Sequence, residues 1–475
     1  MRDPIDCSLT DIAQAIRDRA VSSEEITRWS LRRLEGLGPK YNAVFYVDAE
    51  RALQTARDRD SELARGEIRG SLHGVPLAHK GLFDVKGWVN HAGSLVLRDN
   101  VATSDAFVIR KMDDAGQVNL GLLSMSEFAL SPTGFNGHYG QGLNPWNSDC
   151  ISGGSSSGSG IAVAGRMVFG SIGGDTGGSV RLPPAMCGIT GIKPTFRRVS
   201  TRGAIPLSSS LDCLGPLAQT ARDCARLLTV TAAPDPGDAI SVDRGQEDFE
   251  AGIDEKVEGL RLGVVGGYYS EEVDPEVAAG LDAAVDVLKS LGMRASVARA
   301  PDSVADCSVL AKVVMSVEAA SIHGRWIRSR PEDYSDQVRN RIEQGFAYPA
   351  VRYVEALSMR RGLLQEYVAT VFRGCDVAIT PTMPITPPTI VETTSGDHGH
   401  VQQMIRLIGQ FARGLNYLGL PAITVPAGFS RTGLPLAFQL VGKPFSESLL
   451  LRVANAYQQA TDWHRRLPTE IPRDA

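Results

Sequence analysis

Lysine is scarce in this chain for its number of basic residues. Of its 49 Lys and Arg side chains only nine are lysines, at positions 40, 80, 86, 111, 193, 256, 289, 312 and 443. Genome-wide composition accounts for the habit, and it makes each lysine in an apolar setting worth a specific reason. Aromatic residues are also scarce, at 6%. Neither sign of charge is in excess: 49 basic against 54 acidic groups leave a formal net of -5, which offers no basic footprint for nucleic acid or an anionic membrane. No apolar run of about 18 residues occurs, so no membrane span is expected. The opening MRDPIDCSLT is acidic and polar, unlike a secretory signal. The seven cysteines (7, 150, 187, 213, 224, 307, 375) contain no CxxC pair, and the eight histidines are scattered apart from His398 and His400, which read as part of a polar loop. Neither a disulfide framework nor a metal site follows from this. A cytoplasmic, metal-free globule is the expectation.

The chain does have bulk. Its 475 residues, 43% hydrophobic and 22% charged, can bury a sizeable core, and length alone suggests about three domains. Residues 1–66 read as helical: Leu9, Ile12 and Ile16 share a face, Ser22 and Glu25 have capping-box spacing, and a third amphipathic stretch runs from about Ala49 to Ala64. From 67 to 231 the texture changes to short apolar runs separated by Gly, Ser and Pro. Residues 232–257 are acidic and turn-rich and read as a surface connection. Beyond them, 258–475 opens with a strand (260–265), a helix (275–291) and a strand (293–298), the order of a parallel βαβ unit. Helical spacing then dominates 308–373, and the turn SRTG between 422–429 and 436–441 predicts a hairpin.

One stretch stands apart: ISGGSSSGSGIAVAG (151–165), followed by SIGGDTGGSVRLPPAMCGITGIKPT (171–195). Small residues build no core, but these clusters are welded to apolar runs, which a flexible linker would not be. Glycine permits sharp turns and close approach of a ligand. Asp175-Thr-Gly-Gly-Ser179 offers consecutive N–H groups able to cradle a phosphate or the oxyanion of acyl transfer. No GxxxxGK[ST] and no GxGxxG after a strand occurs, so acyl transfer fits better. Gly154-Ser-Ser-Ser-Gly158 formally matches G-x-S-x-G and nominates Ser156, with His464 the one loosely placed base; yet SDCISGG before it reads as turn, not strand. Lys80 closes the apolar run GVPLAHK. Desolvated there, it would titrate well below the ordinary ~10.4 and could accept a proton from a serine.

With Lys80 upstream, the two clusters resemble the amidase signature family. So do LHGVPLAHKGLFDVKG (72–87), SEFALSPTGFN (126–136), NPW (144–146), SLDCLGPLAQTARDCA (210–225), DVAITPTMP (376–384) and GLPAITVPAGF (419–429). The resemblance spans roughly 67–231 and 371–467. It implies one large α/β domain, a mixed β-sheet core covered by helices on both faces, with a helical N-terminal segment. It also implies Ser179 as nucleophile, Ser155 as bridging serine after a cis Gly154–Ser155 bond, and Lys80 as ultimate base. The amides of Thr176, Gly177, Gly178 and Ser179 would form the oxyanion hole, with Asp175 and Arg181 as supporting charges. This chain departs from the family pattern at Gly81, Ser157, Ile161, Pro184 and Gly174, none of which removes a catalytic group.

The function so implied is hydrolysis of a carboxylic amide on Ser179, with no cofactor, on a small or aryl amide. The alternatives are the glutaminase subunit of an aminoacyl-tRNA amidotransferase, which needs partner subunits, and a related esterase, hydrazide or carbamate hydrolase. A homodimer is carried only as a habit of the family. Substrate contacts are expected from 126–143 and the helical region 308–365, with Phe128, Phe135, His138, Trp326, Tyr334 and Phe346 as candidates for an aromatic-lined pocket.

Overall fold

The computed structural model describes residues 2–395 and 398–473. Helices Leu9–Arg17, Ser23–Lys40 and Ala49–Ala64 open the chain, the first two begun by capping boxes at Ser8/Asp11 and Ser22/Glu25. The N-terminal part is not wholly helical. Strand Val44–Val47, too short to show a period, pairs antiparallel with Val118–Leu123, which in turn pairs in parallel with Pro76–Lys80.

The central sheet has eight strands. In spatial order they are Arg294–Arg299, Arg261–Gly266, Val377–Pro381, Pro435–Val441, Ala422–Phe429, Thr190–Lys193, Cys213–Ala218 and Gly170–Asp175. The first three pair in parallel, as the βαβ pattern predicts, and the remaining pairings are antiparallel, including the 422–441 hairpin. Strands from both halves of the chain thus join in a single sheet, meeting where Ala422–Phe429 pairs with Thr190–Lys193. Alternation along the strands separates two cores. Ile379, Ile423 and Leu440 face helices Pro275–Ser290 and Glu447–Gln459, whereas Ala378, Ala422 and Val441 face Val304–Ser329, Ala350–Val371 and His398–Leu418. Helices cover both faces.

Two local expectations change and a third is refined. Residues 232–257 form no helix or strand and lie mostly at the surface, but they are tied down: Phe249, Ile253 and Val257 are buried in the core, and Asp235 pairs with Arg202. Three apolar residues among many acids were enough to anchor the segment. His398 and His400 fall at the start of helix His398–Leu418 rather than in a loop; the His398 side chain lies outside the described residues. The segment before Gly153 is a strand, Asn147–Ile151, paired with Leu143–Asn144 despite its polarity. Among the described residues no helix is long and apolar enough to cross a membrane, and no group of three or more His, Cys, Asp or Glu side chains could hold a metal.

Candidate active site

Lys80 ends the buried strand Pro76–Lys80. Its neighbour His79 points to the opposite face and locks that strand in place: Ile172 N–H donates to His79 Nδ1 (3.1 Å), so the ring proton sits on Nε2 and is donated to Gln117 Oε1 (2.8 Å). Burial holds His79 down to about 4, keeping it neutral. On the other side Lys80 Nζ, with no solvent exposure, donates to Ser155 Oγ (2.8 Å) and Gly174 O (3.4 Å). Burial lowers Lys80 to about 7, against the opposing pull of Asp212 and Asp175. Near neutral pH a large fraction of this amine is uncharged.

Ser155 follows a cis Gly154–Ser155 bond. The 126–134 segment clasps it: Gly154 N–H donates to Pro132 O, Ser126 N–H donates to Ser155 O, and a side chain at Gly154 would meet Ser131 O at 2.5 Å. Glycine at 158 has the same origin, since a Cβ there would lie 2.3 Å from Ala43 O. Much of the Gly/Ser density therefore serves close backbone packing rather than ligand approach. Every residue from 150 to 164 is buried. Ser156 Oγ donates to Gly174 O (3.3 Å), and His464 is buried beside Arg166 and Gln219, with no hydrogen bond joining the two. The Ser156–His464 alternative is not assembled.

Ser179 lies in the turn between strand Gly170–Asp175 and helix Leu182–Cys187, and at 8% it keeps a little exposure where Ser155 has none. Asp175 organises the turn. It accepts from Gly178 N–H (2.7 Å), Val180 N–H (3.1 Å), Arg181 Nε and Nη2 (3.1 and 3.2 Å) and Asn416 Nδ2 (2.8 Å). Burial would raise this carboxyl, but Arg181, Lys193 and Asn416 outweigh it and hold it at about 2. Arg181 also donates to Ala412 O (3.0 Å), Asn416 Oδ1 (2.6 Å) and Gln439 Oε1 (3.3 Å). Gly178 sits at φ 128, which a side chain would strain. Its N–H is committed to Asp175, so it drops out of the expected oxyanion set. Among the described residues the amides of Thr176, Gly177 and Ser179 donate to no other protein group. These three N–H groups of one turn are thus left without a protein acceptor among the described residues.

A cavity of about 240 Å³ adjoins this turn. Lys80, Gly174, Asp175, Thr176 and Asp212 form its polar end, and Leu82, Ala129, Ile205, Pro206, Leu207 and Leu214 its apolar wall. The proposed aromatic lining is elsewhere. Phe128 and Trp326 pack around His323 with Tyr334, Phe135 is half-buried in a two-residue strand, His138 Nε2 contacts Glu127 (3.2 Å), and Phe346 is exposed. Phe128, His323 and Tyr334 pack on one another as a core cluster, and none of the six candidates lines the cavity. Two arginines were missed. Arg413 lies against Gly177, 3.7 Å from where its Cβ would be, and burial and Arg413's charge together depress Arg341 to about 10. Neither forms an ion pair among the described residues, and Arg341 donates only to Leu130 O. Their signal was two cations on helix faces that otherwise bury apolar groups.

A family model, Amidase, matches residues 25–451. The chain belongs to the amidase signature family. As a member of that family it is a hydrolase. It is 37% identical over 487 residues to a glutamyl-tRNA(Gln) amidotransferase subunit of Chromobacterium violaceum, covering 97% of this chain and 99% of the relative. The corresponding protein from Methylococcus capsulatus is 38% identical, covering 98% and 99%. Among solved structures, it is similar to a chain of a vestigial protein complex linked to the origins of an s-triazine catabolic enzyme (33% identity, TM-score 0.88, 95% of this chain and 98% of that one). It is also similar to 6-aminohexanoate cyclic dimer hydrolase complexed with substrate (27%, TM-score 0.89, 98% and 100%).

Proposed function

We propose that this amidase cleaves a carboxylic amide through an acyl-enzyme on Ser179. The observation that carries the reading is the fully buried Lys80 Nζ, titrating near 7 and 2.8 Å from Ser155 Oγ. Neutral Lys80 takes a proton through Ser155 as Ser179 attacks the carbonyl carbon. The amides of Thr176, Gly177 and Ser179 receive the oxyanion; each such donor is typically worth about 3–4 kcal/mol in the transition state. The relay returns the proton to the departing nitrogen, the C–N bond breaks, and water then releases the acid by the same path in reverse.

For the substrate, the relatives favour the glutaminase-subunit reading over a free-standing amidase on small neutral amides, and with it a cytoplasmic setting and partner subunits. Arg413, which lies against Gly177 and forms no ion pair among the described residues, supports a substrate bearing a carboxylate, which glutamine has, and Arg341 is near enough to Arg413 to feel its charge. One observation favours a second reading, a carboxylate-bearing amide without an ammonium: the Asp212 carboxylate in the adjoining cavity is already engaged by Thr176, Leu207 and Ser208 rather than open to a substrate ammonium. Turnover of glutamine, glutaramate (the same amide without the amino group) and benzamide by the purified chain separates them. Glutamine preferred over both supports the glutaminase reading; glutaramate preferred supports the second; benzamide preferred overturns both.

A further inference from the structure

Asp212 is absorbed by neither the triad nor the oxyanion turn, yet it sits between them. Its Oδ2 accepts from Leu207 N–H (2.9 Å) and Ser208 N–H (3.0 Å), and its Oδ1 accepts from the Thr176 hydroxyl (2.5 Å). With Lys80 and Thr176 it lines the same cavity. The loop that carries it is braced from the far side. Glu318 accepts from Ser210 Oγ (2.5 Å), Ser210 N–H (3.0 Å) and Tyr353 OH (2.8 Å) and bonds Ser208 Oγ, while Arg360 donates to Ser210 O (2.7 Å).

We propose that Asp212 is a positioning residue of the hydrolytic site, holding Thr176 at the head of the oxyanion turn and serving as the half-buried anion that shares the cavity with Lys80. The proposal rests on the reading of Lys80 as base. The charged groups around the pair are few. Asp175, neutralised by Arg181 and flanked by Lys193, is the other anion acting on Lys80, and Glu318 is the anion acting on Asp212. Burial raises Asp212 to about 6, so it is largely ionised at neutral pH and opposes the desolvation that lowers Lys80. Its hydrogen bonds orient the Thr176 backbone, so losing them loosens an amide that the oxyanion needs.

The test is Asp212→Asn, an isostere that keeps the loop's shape, with the full pH profile of kcat/KM on the preferred amide. Removing the negative charge lets Lys80 deprotonate at lower pH. The acid limb should move down by about one unit, and the plateau should fall about tenfold. Thr176→Val should lower the plateau while moving the limb less than Asp212→Asn does, since it weakens but does not remove the Asp212 charge, and it carries the test alone if Asp212→Asn does not accumulate as folded protein. An unmoved limb and plateau in Asp212→Asn, or an unchanged plateau in Thr176→Val, overturns the proposal. Lys80→Met separates the two levels: retained activity there defeats the base reading itself, whereas its loss beside an unmoved Asp212→Asn profile defeats only the role of Asp212.

Discussion

Among the described residues Arg181 is the cation in direct contact with Asp175, and Arg181→Gln leaves that buried carboxylate with neutral hydrogen-bond donors and only the more distant charge of Lys193. Asp175 and Arg181 have no side-chain exposure, so solvent cannot screen the change. Breaking a buried pair from one side typically costs about 3–5 kcal/mol, because the remaining charge is uncompensated. Unfolding entropy of about 2.1 cal/mol/K per residue gives about 1 kcal/mol per kelvin for a chain of 475 residues. The expected fall in melting temperature is therefore about 3–5 °C at neutral pH. Activity should fall much further, because Asp175 also fixes the Gly178 and Val180 amides and so the whole turn that carries Ser179. Asp175→Asn combined with Arg181→Gln should recover part of the stability and none of the activity. Thermal melting by fluorescence and kcat on the same samples read both. Arg181→Gln with unchanged melting and kcat would refute the idea that this pair holds the turn.

Lys80→Met should abolish hydrolysis yet stabilise the fold. The folded value near 7 against 10.5 means that between those pH values the unfolded chain binds more protons, so stability rises with pH across that window and is lowest below it. At about 1.4 kcal/mol per unit the lysine costs roughly 5 kcal/mol at pH 7, or up to about 5 °C of melting temperature regained in the variant; no gain at pH 7 would contradict the burial argument. In the intact enzyme kcat/KM should rise with pH through a midpoint near 7, as the base must be neutral to act. Arg413→Ala should raise KM at least about tenfold for an amide bearing a carboxylate, with kcat nearly unchanged, and should leave a neutral amide unaffected. Steady-state kinetics on a matched pair of amides measures this.

Local chemistry was legible and distant chemistry was not. The capping box at Ser22, the βαβ unit and the 422–441 hairpin depend on neighbours in the chain, and local spacing reports them. A lysine at the end of an apolar run, in a chain nearly without lysines, likewise announced a desolvated amine. Asn416 and Gln439 brace Arg181 from more than 230 residues away, and no local pattern marks them. Asp212 lay inside the quoted stretch SLDCLGPLAQTARDCA, but its contact with Thr176 exists only once strand Cys213–Ala218 pairs with Gly170–Asp175. The aromatic pocket failed for a physical reason: large rings gain most by packing on one another, and Phe128, His323 and Tyr334 do so. Gly154 and Gly158 read as ligand-approach glycines because close packing of backbones leaves the same mark in a sequence.

In the proposed mechanism Ser179, served by Ser155 and Lys80, forms the covalent intermediate. Labelling the folded enzyme with a fluorophosphonate and locating the adduct by peptide mass spectrometry tests it most directly. The account predicts a single adduct on Ser179, formed faster as pH rises through 7 and lost in Ser155→Ala and Lys80→Met. An adduct on Ser156, or undiminished labelling of Ser179 in Lys80→Met, would contradict it.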